Sequence, residues 1–308
     1  MDVQMPIWPV KSYDIRNPLF DSTLWDDFDF RDDDIIIGSW SKSGTTWVQQ
    51  IVGQLIFDGD ENIRIAEISP WYDFALTSHQ TVKNAVKAQA HRRFLKTHLP
   101  LEALTFSPKA KYLYVARDGR DVAWSMHHHH SNLTTAFYEE YNRTALNGPA
   151  RAAPMGPPTA DITSYFRDWL AYDGYPFPSF WGHVRGWWEA RHLPNVTLVH
   201  FAELKQNMPE QIRRIARFLD LSIDDHRWGA IVEHCTFEFM KRHADHAAPF
   251  GGAIWEGGGR TFIHKGTDGR WRDLLTPSDI RAYEERARQE LGEDCAHWLA
   301  TGELRTPA

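Results

Sequence analysis

Only two cysteines, Cys235 and Cys295, occur in the 308 residues. Two thiols cannot build a disulfide framework for a chain this long, so a reducing compartment, the cytoplasm, is expected. Long hydrophobic runs are also missing, and no stretch reaches the length that crosses a bilayer. The start, MDVQMPIWPVKSYD, has no apolar core behind a basic head, so no signal peptide is expected. An excess of positive charge is absent: the formal net charge is −7. That balance argues against nucleic-acid and membrane-surface partners and leaves room for a local basic pocket. Two common nucleotide signatures are lacking, G-x-x-x-x-G-K-[ST] and G-x-G-x-x-G. No internal repeat is found.

Aromatic residues are abundant: 14 Trp, 17 Phe and 10 Tyr. They serve as core volume or as flat faces for a flat ligand. Short apolar runs predict strands at 34–40, 92–100, 111–117 and 195–201. Helical spacing predicts helices over 45–57, 118–130, 180–193, 208–221 and 224–235. A capping-box spacing, Thr77 to Gln80, opens another over 77–91, and a Thr-Pro start opens the last over 276–292. Residues 145–160, rich in Pro, Gly and Ala, read as a long loop or insertion. The stretch 244–270, with seven glycines, reads as a Gly-rich loop. Alternating strands and helices predict an α/β fold, a parallel sheet with helices on both faces. Ligands in such sheets bind beyond the carboxyl ends of the strands.

SWSKSGTTW, residues 39–47, stands at such a place, after a strand and opening a helix. Gly44 lets backbone amides approach a ligand, the helix start offers unpaired N–H groups, and Lys42 adds a full charge. The loop therefore reads as an anion site, against the plainer alternative of a polar turn whose hydroxyls cap the helix. In KTHLP (96–100), His98 follows a strand beside Lys96. It is either structural or, as a neutral imidazole, a proton acceptor. In YVARDGRDVAWS (114–125), Arg117 ends a strand and Ser125 lies two turns into the next helix. A guanidinium and a hydroxyl there suit a second phosphate, unless Arg117 or Arg120 merely pairs with Asp118 or Asp121. The run His127–His130 points in four directions about 100° apart on a helix. At most two of these side chains share one metal, and no Cys or acidic pair completes a set, so no metal is expected.

KSGTTW, KTHLP and RDGRDVAWS, in that order, resemble the motifs of cytosolic-type sulfotransferases that use 3′-phosphoadenosine 5′-phosphosulfate (PAPS), including bacterial small-molecule enzymes. The resemblance covers roughly residues 35–290 and implies a P-loop-like sheet in one sulfotransferase domain over 1–308. It implies that Lys42, Ser43, Gly44, Thr45 and Thr46 hold the 5′-phosphosulfate, with Trp47 against the adenine. Arg117 and Ser125 fall on the 3′-phosphate positions. HKGTDGRW (264–271) is similar to a late R-K-G-x-x-G-x-W segment. Lys265 and Gly266 match it, and His264 stands where the family has arginine. VHFAELK (199–205) places Phe201 where a tyrosine approaches the adenine, and HCTFEFMK (234–241) places Cys235 and Thr236 at small hydroxyl positions. Trp40 and Ser41 replace a frequent Tyr-Pro before the loop. Thr276-Pro277 stands where a Thr-Val dimer motif occurs, so no oligomeric state carries over.

The resemblance further implies sulfuryl transfer from PAPS to a hydroxyl or amine of a small acceptor, with 3′-phosphoadenosine 5′-phosphate (PAP) as product and no metal. His98 is the implied general base, Lys42 stabilises the leaving phosphate oxygen, and Lys96 steadies the sulfuryl oxygens. Trp71, Tyr72, Phe74, Phe137, Tyr138 and Trp255 are either an aromatic acceptor pocket or core. Two rivals remain, a P-loop-type small-molecule kinase and a non-catalytic nucleotide-binding module. The kinase needs a Walker-type lysine, and the module has no use for His98.

Overall fold

The protein, described by a computed structural model over residues 6–148 and 152–305, is built on one parallel sheet. Residues 149–151, inside the Pro- and Gly-rich stretch, lie outside the described residues. Four strands form the sheet: β1 Ile35–Ser39, β2 Phe94–Thr97, β3 Lys111–Ala116 and β4 Val196–His200. Their order is β2-β1-β3-β4, and every pairing is parallel. Alternation along each strand feeds two cores. Ile35 and Ile37 of β1 with Leu113 and Val115 of β3 face one side, where the Thr45–Ile56 and Phe201–Phe218 helices pack through Val48, Ile51, Ile212 and Ile215. Ile36, Tyr112 and Tyr114 face the other, under the Gly119–Ser131 and Phe180–Glu189 helices. Most of the tryptophans are core on this second side, where Trp187 stacks on Tyr114 at 5.2 Å.

This topology fixes the place of the site. From β1 the chain crosses to β2 on one side, then returns to β3 on the other. The connections leaving β1 and β3 therefore diverge to opposite faces and open a crevice at their carboxyl ends. The 39–47 loop and the 117–125 motif lie on its two banks. Among the described residues, no helix is long and apolar enough to cross a membrane.

Several boundaries differ from the sequence expectations for local reasons. The 92–100 strand is shorter, Phe94–Thr97, because Arg93 turns aside to a buried pair with Asp34 (Nε–Oδ1 2.7 Å). Phe201 begins a helix rather than ending β4. The His200 ring accepts from the Ala202 N–H at 3.2 Å and so caps that helix. The 77–91 helix spans His79–Ala88 with Ser78 as its cap residue, while the Thr77 hydroxyl turns back to the Phe74 carbonyl. Two helices not foreseen, Thr135–Asn147 and Ile162–Ala171, flank the Pro- and Gly-rich stretch. The last helix runs over Pro277–Thr301, with non-helical Gly292 inside it, and carries a full capping box of Thr276 and Asp279. Thr276 and Pro277 thus have a helix-starting role of their own.

The Gly-rich stretch is an ordered strap of short turns, including Ala244–Ala247, Pro249–Gly252 and Gly259–Phe262. Glycine is needed where the strap folds on itself. A Cβ on Gly252, at φ 88°, would lie 2.0 Å from the Gly259 backbone nitrogen. The strap crosses above the carboxyl ends of the strands and roofs the crevice.

Candidate active site

Beyond β1, Lys42 sits at φ 69°, a left-handed conformation unusual for a side-chain-bearing residue. Gly44 follows at φ 114° and caps the Thr45–Ile56 helix. Any side chain there would meet the Phe201 ring at 2.8 Å. The Ser39 and Thr45 hydroxyls tie the two ends of the loop together at 2.5 Å. Trp40 anchors the start of the loop: its buried ring packs against Trp169 and Phe180, and its Nε1 donates to the Pro178 carbonyl at 2.8 Å. Lys42 Nζ donates to His129 Nδ1 at 3.3 Å and lies 4.1 Å from the centre of the Phe262 ring. Burial, then Lys96 and Arg117, push its pKa down to about 7. An anion placed among these cations would reverse that push.

Beyond β2 stands His98, 7% exposed. Its Nδ1 is 2.8 Å from the Ser39 carbonyl, which only accepts, so Nδ1 carries the proton and Nε2 keeps its lone pair. Burial and the nearby Lys96 hold its pKa well below 6.5. The ring edge rests on Trp71 at 4.8 Å. Lys96, itself buried, has a pKa lowered to about 8 by desolvation, against which the buried Asp73 carboxylate works.

Beyond β3, the Arg117 guanidinium lies 4.2 Å from the centre of the Phe201 ring. It donates from Nε to Asp268 and from Nη2 to the Thr267 carbonyl, each at 2.8 Å. The strap thus reaches Arg117 directly. Trp47 meets Phe201 edge-on at 5.3 Å and is anchored by its Nε1 on the Cys235 carbonyl at 2.8 Å.

These strand ends share one cavity of about 440 Å³. Ser125, Thr236, His264, Lys265 and Gly266 line it together with Lys42, Lys96, His98 and Arg117. Gly44, Thr45, Thr46, Trp47 and Phe201 also reach its wall. Two expected residues do not. Ser43 is buried beneath the loop, and the Cys235 thiol points into the hydrophobic core, where burial raises its pKa, so only its carbonyl serves the site. Trp71, Phe74, Phe137 and Trp255 line the apolar half. Tyr72 does not, being core against Trp25 and Phe28, and Tyr138 turns its hydroxyl to the His130 carbonyl at 2.5 Å.

Three of the four residues in the histidine run reach the cavity. His128, His129 and His130 all line the cavity, because it wraps around the end of their helix. His128 stacks on His264 at 3.6 Å, and His129 faces Trp255 at 5.1 Å. His127 turns away to the Thr159 carbonyl. Sequence reasoning missed Arg270 and Phe262, which line the cavity only because the strap folds over it.

Residues 32–294 match the sulfotransferase domain family. A glycolipid sulfotransferase of Mycobacterium bovis is 32% identical over 309 residues, covering 93% of this chain and 94% of that protein. Sulfotransferase 1A1 of Canis lupus familiaris is 30% identical over 266 residues, covering 84% of this chain and 83% of that protein. Among solved structures, a mouse sulfotransferase complexed with PAP aligns with a TM-score of 0.68 at 23% identity, covering 92% of each chain. Retinol dehydratase in complex with androsterone and PAP aligns with the same TM-score of 0.68 at 22% identity, covering 92% of this chain and 85% of that one. At such identities these two structures speak for the fold. A domain match across most of the length, joined to a relative 32% identical over nearly the whole chain, makes this protein a member of the sulfotransferase family.

Proposed function

We propose that the protein transfers the sulfuryl group of PAPS to the hydroxyl of a small, largely apolar acceptor, acting as one sulfotransferase domain over residues 1–308. One observation carries this reading. In a chain of net charge −7, Lys42, Lys96 and Arg117 converge on one cavity from the ends of three adjacent strands, and His98 stands among them with a free Nε2. The residues suit the donor. The 39–47 loop and its helix start suit a 5′-phosphosulfate, Arg117 with Ser125 suits a 3′-phosphate, and the flat faces of Trp47 and Phe201 suit a purine.

PAPS supplies a sulfur whose bond to the phosphate oxygen breaks as the acceptor oxygen bonds to it. His98 Nε2 takes the proton released from the acceptor hydroxyl. Lys42 faces the loop where the phosphate oxygen gains the electron pair, and Lys96 lies beside His98 to steady the sulfuryl oxygens. Trp71, Phe74, Phe137 and Trp255 exclude water and orient the acceptor. Glu238 is the cavity's one carboxylate among the described residues. A cationic amine therefore finds little to pair with, and a neutral alcohol or phenol is favoured over it.

A reading as a kinase using ATP leaves Arg117 and Ser125 without a second phosphate to bind. The test is mass spectrometry of a panel of neutral alcohols, phenols and amines incubated with PAPS, and separately with ATP. Sulfated alcohol or phenol with equimolar PAP is expected from PAPS and nothing from ATP. Phosphorylated products, or no PAPS consumed across the panel, would overturn the reading.

A further inference from the structure

His264 stands where the resembling segment has an arginine, and an imidazole does not bring the fork of donors that a guanidinium does. It stacks face to face on His128 at 3.6 Å, and desolvation with the surrounding cations lowers its pKa to about 4. An anion held at Arg117 would thus lack a second guanidinium from that position. Six residues further along the same segment is Arg270, which lines the same cavity. Its Nε is buried and has no hydrogen-bond partner among the described residues. A buried N–H left unpaired costs free energy, and a ligand oxygen that drew this side chain further into the cavity it lines would relieve that cost. Its charged surroundings agree. Arg117 repels it, and Asp121, held by the Gly269 N–H at 2.8 Å, is the opposing carboxylate. Asp268 next to it already serves Arg117. Two arginines facing one cavity are a geometry that an oxyanion with several acceptor oxygens satisfies.

We propose that Arg270 is the second guanidinium of the 3′-phosphate site, supplying there the forked contact that the imidazole of His264 cannot. This rests on the reading of the nucleotide site given above. It concerns binding of the donor and its product, and assigns Arg270 no part in proton transfer.

Calorimetric titration with PAP and with adenosine 5′-monophosphate, which lacks the 3′-phosphate, tests it. Wild type should prefer PAP. Arg270→Ala should bind PAP about 10- to 100-fold more weakly, as expected for loss of a charge-assisted hydrogen bond, and bind the monophosphate as wild type does. Unchanged monophosphate binding also shows that the variant is folded. Arg270→Lys, which keeps charge without the fork, should fall between them. Adding His264→Arg to Arg270→Ala should restore the preference. If wild type prefers PAP and Arg270→Ala keeps that preference, or loses both nucleotides equally, Arg270 is not the contact. If wild type binds both nucleotides alike, the 3′-phosphate reading fails at Arg117 as well.

Discussion

At the scale of single residues, the claim of catalysis rests on His98. Its proton is fixed on Nδ1 by the Ser39 carbonyl, which leaves Nε2 as the acceptor. His98→Ala should lower turnover by about 10²–10⁴-fold, the usual contribution of a general base, while PAP binding stays unchanged. His98→Gln should fail equally. The acceptor in this assay must be an alcohol un-ionised at the working pH, because an acidic phenol arrives already deprotonated. Turnover at the wild-type rate by both variants would make the residue structural. Burial holds the pKa well below 6.5, so the base stays competent under mild acid, and the acid limb of the rate profile should lie below that value. The motif around His98 was legible because strand, lysine and histidine are contiguous in KTHLP. Arg270 was not, because its position depends on how the strap closes over sites more than a hundred residues away. The orientation of Cys235 was not legible, because adjacency to Thr236 in sequence does not fix which of the two side chains faces the cavity.

At the scale of elements, short apolar runs and glycine-marked turns carried most of the sheet. A buried parallel strand is continuous in sequence and needs no partner to be recognised. Helices with few buried positions escaped. Thr135–Asn147 buries only Tyr138, Tyr141 and Ala145, a sparse apolar stripe. The strap escaped as well, since its order comes from backbone packing against backbone rather than from apolar periodicity. That order makes a sharp prediction. Gly251 and Gly252 both have positive φ, 61° and 88°, yet a Cβ on Gly251 comes no nearer than 3.8 Å to the Asp245 carbonyl oxygen. Gly251→Ala should therefore cost about 1 kcal/mol, the penalty for a left-handed side-chain-bearing residue. Gly252→Ala must also displace the backbone at Gly259. It should open the strap, weaken PAP and acceptor binding together, and expose 249–262 to limited proteolysis. Equal melting temperatures and equal protease resistance for the two variants would refute this account of the strap.

At the scale of the whole molecule, the fold encloses many uncharged histidines. Burial lowers His130 and His200 to about 4 and holds His98 and His129 well below 6.5. His183, at about 3, is lower still. Each takes up a proton on unfolding in mild acid, so the unfolded chain binds more protons and stability falls as pH drops below 6.5. Asp73 and Asp121, raised to about 6 by burial, act in the opposite sense between 3.8 and 6. His79, His128 and His264 are lowered as well and Glu203 is raised, so eight histidines against three carboxylates decide the sign. The melting temperature should fall by about 3 °C or more from pH 7.5 to pH 5, on the order of 2 kcal/mol, and an unchanged or higher value at pH 5 would overturn this balance. The strap has a consequence of its own at this scale. One continuous segment presents Phe250, Ile254 and Trp255 to the apolar half of the cavity and His264 to Thr267 to the cationic half. Whatever ordering of that segment one ligand brings about, the other finds already done. The two occupancies are then a single linked equilibrium, and the factor by which nucleotide changes acceptor affinity must equal the factor by which acceptor changes nucleotide affinity.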